Sequence, residues 1–129
     1  MAKGIELILR EGDKAPAFKA ESQDGNQVRL SDFKGKFVVL YFYPKDNTPG
    51  CTKEACAFRD LHAEFRDAGA VVVGVSIDPV KAHQKFINKF KLPFTLLADE
   101  SKEIVTKYGV WGPKQFMGRT FDGIHRVTF

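Results

Sequence analysis

Two unbroken apolar segments constrain the fold of this chain more than any other feature. Residues 37–43 (FVVLYFY) and 71–77 (VVVGVSI) are rich in β-branched and aromatic side chains and lack regular polar alternation. A strand with one solvated face alternates apolar and polar residues, whereas a strand covered on both faces does not. The two segments therefore predict central strands of a sheet that carries helices on both sides, as in an α/β fold.

A loop and a helix are predicted between these two strands. Residues 44–50 contain two prolines and a glycine, which is typical of a loop. Over residues 51–68, apolar side chains recur at intervals of three and four, which is the pattern of a helix with one buried face. Those side chains are Ala55, Phe58, Leu61, Phe65 and Ala68. Ligand sites in open α/β sheets lie at the carboxyl ends of strands, and Cys51 falls at such a position.

The remaining elements fit one domain over residues 1–129 with a single core. Strands and helices continue to alternate along the chain, which predicts an α/β sandwich with a central sheet. We predict strands at 27–30, 95–97 and 124–129, a helix start at Ser31-Asp32, a helix after Pro79 and a short helix at 101–108.

Charge and hydropathy exclude several classes of partner. The net charge is +4, but the 20 basic and 16 acidic residues are interspersed, so no nucleic-acid partner is expected. The first ten residues lack the apolar core of a signal peptide, and no apolar stretch approaches the roughly 18 residues of a membrane span. We therefore expect a cytoplasmic protein without membrane contact, in which two cysteines favour redox chemistry over a structural disulfide.

Cys51 stands near a predicted helix N-terminus, where a thiol is activated. Free backbone N–H groups and the positive end of the helix dipole stabilise a thiolate at such positions. Thr48 brings a hydroxyl that can bond to the sulfur or to an incoming oxygen, while Pro44 and Pro49 restrict the loop and shield the thiolate from water. The alternative is that Cys51 is a small apolar residue of the first turn.

Cys56 follows Cys51 by five positions in the segment TPGCTKEAC. In an α-helix this offset turns the two side chains about 140° apart and separates them by about 7.5 Å along the axis. A disulfide needs Cα atoms roughly 4.4–6.8 Å apart, so the pair cannot bond while the helix is intact. Either the two cysteines never pair, or the start of the helix unwinds and the second thiol condenses with a sulfenic acid on the first. Cys56 as a buried packing residue is the structural alternative.

No metal or organic cofactor is expected. The C-x4-C spacing and the isolated His62, His83 and His125 do not form a structural zinc pattern. The sequence contains neither a glycine-rich dinucleotide motif nor a P-loop. We expect His62 and His83 to be ordinary helix residues.

The stretch YFYPKDNTPGCTKEAC resembles the peroxiredoxins, whose signature P-x-x-x-T-x-x-C is matched by Pro44, Thr48 and Cys51. With Cys56, the chain is similar to the atypical two-cysteine subgroup that comprises the bacterioferritin comigratory proteins and peroxiredoxin Q. Further blocks of the same subgroup are GDKAPAF, QDGNQVRLSDFKGK, FTLLADE, YGVWGPKQFMG and GIHRVTF. The resemblance implies a thioredoxin-like fold with a mixed central sheet flanked by helices, and reduction of hydrogen peroxide and organic hydroperoxides without a cofactor.

The resemblance also assigns roles to particular residues. Cys51 would be the peroxidatic cysteine, and Cys56 the resolving cysteine that joins it in a disulfide. Thr48 would bond to the peroxide and the thiolate, while Arg126, on the late strand, would stabilise the thiolate and the transition state. Pro44 would shield the site. Glu54, one turn beyond Cys51, would position an arginine. Members of this kind are usually recycled by thioredoxin and are often monomeric.

Three further expectations complete the sequence analysis. The family continues with another strand and a C-terminal helix after the arginine strand, so the chain is expected to lack them and either to be less stable or to self-associate through the exposed sheet edge. One rival function is a thioredoxin-like disulfide oxidoreductase or protein-binding module, which needs C-x-x-C rather than C-x4-C. The other is a non-enzymatic redox sensor, which uses the same two cysteines.

Overall fold

The computed structural model describes residues 7–129, apart from the side chain of Phe116. The described chain forms α-helices, strands and one 3-10 helix over Leu30–Phe33. The strands are β1 (Lys19–Ser22), β2 (Gln27–Arg29), β3 (Phe37–Phe42), β4 (Ala70–Ser76), β5 (Thr95–Ala98), β6 (Trp111–Phe116), β7 (Arg119–Ile124) and β8 (Val127–Thr128). The helices are α1 (Pro49–Asp60), α2 (His62–Asp67), α3 (Val80–Phe90) and α4 (Glu103–Lys107).

The central sheet has six strands in the order β2-β1-β5-β4-β3-β8. Strands β3, β4 and β5 run parallel, and β1, β2 and β8 pair antiparallel with their neighbours, so the sheet is mixed as predicted. Strands β6 and β7 form a separate two-stranded hairpin. The carboxyl ends of β3 and β4 meet at one edge of the sheet, where α1 begins.

The two predicted central strands are buried on both faces. Leu40 and Phe42 of β3 pack into one apolar cluster with β4, β5 and α4, whereas Tyr41 packs on the other face with α1 and α3. Because successive side chains of a strand point to opposite faces, both sets must be apolar when both faces are covered. Leu40 is 3% exposed and Tyr41 and Phe42 are 0% exposed, which confirms the prediction from the unbroken apolar run.

The helix predicted over residues 51–68 is wrong in its extent. It begins two residues earlier, at Pro49, and is divided at Leu61, whose φ of −98° and ψ of 6° leave the helical region. Proline is favoured at the first helical position because its missing N–H would have no partner there. Among the described residues, no helix combines the length and apolarity that crossing a bilayer requires.

The β6–β7 hairpin was not predicted from the sequence. Its turn consists of Met117 and Gly118, which have φ angles of 51° and 77°, as the tight two-residue turns of hairpins require. The strand predicted at 124–129 is wrong in its extent, because β7 ends at Ile124 and β8 covers only Val127–Thr128. Between them, the backbone N–H of His125 donates to the Val110 carbonyl at 2.8 Å, which turns the chain from the hairpin toward the central sheet.

Candidate active site

The N-terminus of α1 places Cys51 at the edge of the sheet. Thr48 is the N-cap residue, with an extended backbone, and Cys51 is the third residue of the helix. The Cys51 side chain is buried (2% exposed) and its thiol is free. Because the first backbone N–H groups of a helix have no partners within the helix, this position favours a negative charge on the sulfur.

Arg126 reaches the same sulfur from the other end of the sequence. Its Nη2 lies 3.2 Å from Cys51 Sγ, and its Nη1 donates to Glu54 Oε1 at 2.7 Å. The sequence analysis placed Arg126 within a strand, but it lies in the two-residue link between β7 and β8. The link is not part of a strand, so its backbone does not pair with a neighbouring strand, and the Arg126 side chain can extend to the start of α1.

The guanidinium of Arg126 is held in its charged form. Its partial burial acts to lower the pKa, but the hydrogen bonds and charges of Cys51 and Glu54 outweigh that effect and raise the pKa of Arg126 above its usual value. Glu54 lies one turn after Cys51 on the same face of α1, which explains how one side chain can contact both. The ion pair is half-exposed, so its contribution is mainly to orient the guanidinium.

Gly50 allows the guanidinium to approach the helix start. A Cβ at this position would lie 3.3 Å from Arg126 Nη2, which is closer than ordinary van der Waals contact. The absence of a side chain therefore leaves the space that the Arg126–Cys51 contact occupies. The sequence analysis treated this glycine only as a loop signal.

Thr48 and Pro44 belong to the loop that leads to Cys51, and the hydrogen bond described for Thr48 goes to the loop backbone rather than to the sulfur. The Thr48 hydroxyl donates its proton to the Lys45 carbonyl at 2.8 Å, which closes the loop on itself. Because the Thr48 oxygen keeps its lone pairs when the hydroxyl donates its proton in this bond, it can still accept a hydrogen bond from a peroxide O–H group. Pro44 is half-buried and lies two residues after the end of β3.

Cys56 lies in the middle of α1, half-buried and with a free thiol. The helix is continuous from Pro49 to Asp60, so the two cysteines point to different sides of an intact helix. The structure thus describes the dithiol form, with Cys51 beside Arg126 and Cys56 away from both.

Lys114 is a residue of the site that the sequence analysis missed. Its Nζ donates to the Ile124 carbonyl at 2.8 Å, two residues before Arg126. Burial and then the charge of Arg126 lower the pKa of Lys114, while the charge of Cys51 acts in the opposite direction. No local spacing connects Lys114 with Arg126, because the pairing of β6 with β7 brings the Lys114 side chain to the end of β7.

His83 is a residue of α3, as expected, but its ring also belongs to a buried polar network that the sequence did not indicate. Its side chain is completely buried (0% exposed), and both ring nitrogens have polar partners beneath the loop that precedes α1. His62 is the first residue of α2, and His125 Nε2 lies 3.0 Å from the Pro113 carbonyl. A pattern of helical periodicity does not distinguish a buried histidine from an exposed one, since it records apolar spacing only.

These features together define a class of protein: an α/β domain with a thiol at a helix N-terminus, an arginine on its sulfur and a second thiol in the same helix. Comparison with known proteins agrees, since the family model described as "AhpC/TSA family" matches residues 11–129. The chain therefore belongs to the AhpC/TSA family, and its relatives within that family are peroxiredoxins.

The relatives cover most of the chain. Peroxiredoxin Bcp of Escherichia coli strain K12 is 50% identical over 121 residues, which are 94% of this chain and 78% of that protein. Peroxiredoxin Bcp of Bacillus subtilis strain 168 is 49% identical over 123 residues, or 95% of this chain and 78% of that protein. At this similarity, membership of the family identifies the chain as a thiol-dependent peroxidase that acts on hydroperoxides with a thiol reductant.

Solved structures confirm the thioredoxin-like fold of this family. A cysteine-to-serine mutant of peroxiredoxin Q from Xylella fastidiosa superimposes with a TM-score of 0.84 at 31% identity, covering 98% of this chain and 79% of its own. A mutant of peroxiredoxin Q from Xanthomonas campestris gives a TM-score of 0.82 at 39% identity, covering 87% of this chain and 71% of its own.

Proposed function

We propose that the chain reduces hydrogen peroxide and organic hydroperoxides through Cys51 and that Cys56 resolves the product. The Cys51 thiolate attacks the terminal oxygen of the peroxide, so an S–O bond forms as the O–O bond breaks. The leaving oxygen takes a proton and departs as water or an alcohol, and Cys51 becomes a sulfenic acid. A related protein, the bacterioferritin comigratory protein of Xanthomonas campestris, has been studied for alkyl peroxide reduction.

The observation that carries this proposal is the contact of 3.2 Å between Arg126 Nη2 and Cys51 Sγ. The guanidinium stabilises the thiolate before the reaction, and negative charge then builds on the leaving oxygen as the O–O bond breaks. Donors that are already fixed where this charge develops stabilise the transition state without reorganising. Glu54 keeps the guanidinium in place, and the Thr48 hydroxyl can accept a hydrogen bond from the peroxide O–H group.

Resolution requires a change of structure in α1. The Cys56 thiol loses its proton and attacks the Cys51 sulfur, so an S–S bond forms and the S–O bond breaks, and the leaving hydroxide takes up one proton and departs as water. The geometry of a disulfide and that of an intact helix are incompatible for these two positions. The turns between Cys51 and Cys56 therefore unwind, and Cys51 moves away from Arg126. We expect the Cys51–Cys56 disulfide to be reduced again by thioredoxin or a similar dithiol protein.

Peptide mapping of the oxidised protein tests the resolving step. We expect the reduced chain, after one equivalent of hydrogen peroxide, to contain an intramolecular Cys51–Cys56 disulfide and to lose helical signal in circular dichroism. A redox sensor that does not resolve would retain free Cys56 and carry a sulfenic or overoxidised Cys51. A disulfide found only between two chains would contradict the intramolecular step.

The association state and location are also part of the proposal. We propose a cytoplasmic monomer, on the basis of the charge pattern and of the resemblance to peroxiredoxin Q. The two-residue strand β8 lies at the edge of the sheet beside β3, and edge strands with unpaired backbone groups are the usual route of self-association. Sedimentation of the reduced protein separates a monomer from association through this edge.

Lys114 offers a further test of the electrostatics. Replacement of Lys114 with methionine removes one positive charge and the hydrogen bond to the Ile124 carbonyl. We expect kcat/KM for hydrogen peroxide to fall about fivefold, which corresponds to the ~1 kcal/mol of a typical hydrogen bond. The matched control is Lys107→Met on α4, because the Lys107 ammonium bonds to the Ala17 carbonyl and to Glu103 rather than to site residues. Equal effects of the two substitutions would contradict a role for Lys114 at the site.

A further inference from the structure

A buried polar network lies beneath the loop that precedes α1. His83 Nδ1 is 2.6 Å from Asp46 Oδ2, and His83 Nε2 is 2.9 Å from the Leu97 carbonyl oxygen. Tyr43 bonds through its hydroxyl to the other oxygen of Asp46 at 2.5 Å. His83 belongs to α3, Leu97 to β5 and Tyr43 follows β3, so the network joins three elements to the loop.

The hydrogen-bond partners of these groups show where the protons of the network lie. A carbonyl oxygen only accepts hydrogen bonds, so His83 Nε2 carries a proton toward Leu97. Burial, followed by the charge of Asp46, raises the pKa of Tyr43 well above its usual value, so the Tyr43 hydroxyl keeps its proton and donates it to Asp46. The short contact between His83 Nδ1 and Asp46 Oδ2 then requires one more proton, which the two groups share in a hydrogen bond.

The backbone of the loop is held as well. The N–H of Asp46 donates to Asp78 Oδ2 at 2.8 Å, and the Ser76 hydroxyl donates to the same oxygen at 2.7 Å. Asp46 is therefore fixed at its side chain by His83 and Tyr43 and at its backbone by Asp78. The next residue, Asn47, has a φ of 57°, a left-handed turn that asparagine tolerates, and directs the chain to Thr48 and α1.

The same groups do not form a convincing metal site. Asp46, Asp78 and His83 offer ligand atoms within 4.8 Å of one another. However, a cation needs about 2.0 Å to each ligand, whereas the Nδ1–Oδ2 distance of 2.6 Å fits a shared proton between the two groups. Asp46 Oδ1 accepts a hydrogen bond from Tyr43, and Asp78 Oδ2 accepts from the Ser76 hydroxyl and from the backbone N–H of Asp46.

We propose that His83 is a positioning residue that holds Asp46, and with it the loop before Cys51, in place while α1 unwinds during resolution. This inference rests on the proposed function, because it concerns the unwinding of α1 that disulfide formation between Cys51 and Cys56 requires. Cys51 must leave Arg126 to meet Cys56 and must return to the same place after reduction. Asp46 lies five residues before Cys51, so its hydrogen bonds to His83 and Tyr43 fix the chain on the N-terminal side of the unwinding segment. Unwinding is therefore limited to residues after Asp46.

The test compares His83→Leu with Phe86→Leu. Both residues are buried on α3 (0% and 1% exposed), but Phe86 contributes only packing to the cluster around Tyr43. We expect His83→Leu to raise hydrogen exchange at the Asp46 amide at least tenfold and to slow disulfide closure after a peroxide pulse by a similar factor. Phe86→Leu, measured at the same fraction folded, should change neither quantity by more than about twofold.

Asp46→Asn distinguishes positioning from a general loss of stability. The new side chain can accept from Tyr43 through its carbonyl and donate its N–H to a neutral His83 Nδ1, so the anchor survives without the charge. We expect this variant to keep most of the protection of the amide at position 46, and Asp46→Ala to lose it. If His83→Leu does not fold, the difference in amide protection at position 46 between Asp46→Asn and Asp46→Ala is sufficient to test whether the side-chain hydrogen bonds hold the loop.

Two outcomes overturn the inference, and both are distinct from failure of the proposed function. Equal exchange and closure rates in His83→Leu and Phe86→Leu would show that His83 does no more than pack. Equal protection in Asp46→Asn and Asp46→Ala would show that the hydrogen bonds of the side chain do not hold the loop. If the wild type formed no Cys51–Cys56 disulfide, the proposed function would fail, whereas the exchange measurements would still report on the anchor.

Discussion

Replacement of Cys51 with serine is expected to lower peroxide turnover by more than about 1,000-fold, to the rate of buffer without protein. A serine hydroxyl is not ionised at neutral pH, so the helix N-terminus and Arg126 have no thiolate to stabilise, and the attack on the O–O bond is lost. The measurement is hydrogen peroxide consumption coupled to thioredoxin and its reductase. Full activity in Cys51→Ser would contradict the central proposal.

Cys56→Ser is the matched variant for the same assay. It leaves Cys51 and Arg126 in place, so a single equivalent of peroxide should still oxidise Cys51 at close to the wild-type rate. Recycling by thioredoxin should be lost, because the sulfenic acid has no partner within the chain, while a small dithiol should restore part of the turnover. Normal thioredoxin-linked turnover in this variant would show that Cys56 is not the resolving cysteine.

Replacement of Arg126 with methionine is expected to have the second largest effect. It removes the contact with Cys51 Sγ and the hydrogen bond to Glu54, while it retains much of the side chain's apolar stem. We expect kcat/KM for hydrogen peroxide to fall about 100-fold, or ~2.7 kcal/mol, as for the loss of one fixed donor at a developing negative charge. Stopped-flow measurement of Cys51 oxidation reports this step directly.

Controls for Arg126 separate its charge from its geometry. Arg126→Lys retains a positive charge, but a single ammonium lacks the planar fork that bonds to both Cys51 and Glu54, so its rate should lie between those of the wild type and Arg126→Met. Glu54→Gln should lower the rate of Cys51 oxidation by at most roughly fivefold, because the ion pair with Arg126 is partly exposed to solvent. Arg119→Met on the exposed face of the hairpin should leave the rate unchanged. A comparable loss in Arg119→Met would indicate a non-specific effect of net charge.

Local patterns were sufficient for the central part of the fold. The apolar runs identified β3 and β4 because burial on both faces removes polar alternation, and the three- and four-residue spacing identified the helix that contains both cysteines. They failed where pairing with distant residues decides the structure. The β6–β7 hairpin contains glycines, a proline and charged residues, and its strands form because they bond to each other. The break at Leu61 is a change of backbone angles that apolar spacing does not record.

For the site, the sequence alone determined that Cys51 lies at a helix start and that Cys56 cannot reach it within an intact helix. Both conclusions follow from short-range geometry, because the rise and turn of a helix are the same in every protein. Only the tertiary structure decided which distant groups lie around that thiol and around the loop before it. The β7–β8 link places Arg126 beside Cys51, the hairpin places Lys114 beside the Ile124 carbonyl, and α3 places His83 beneath the loop. These contacts depend on how strands and helices pack together, and that packing sets distances which the spacing along the chain does not contain.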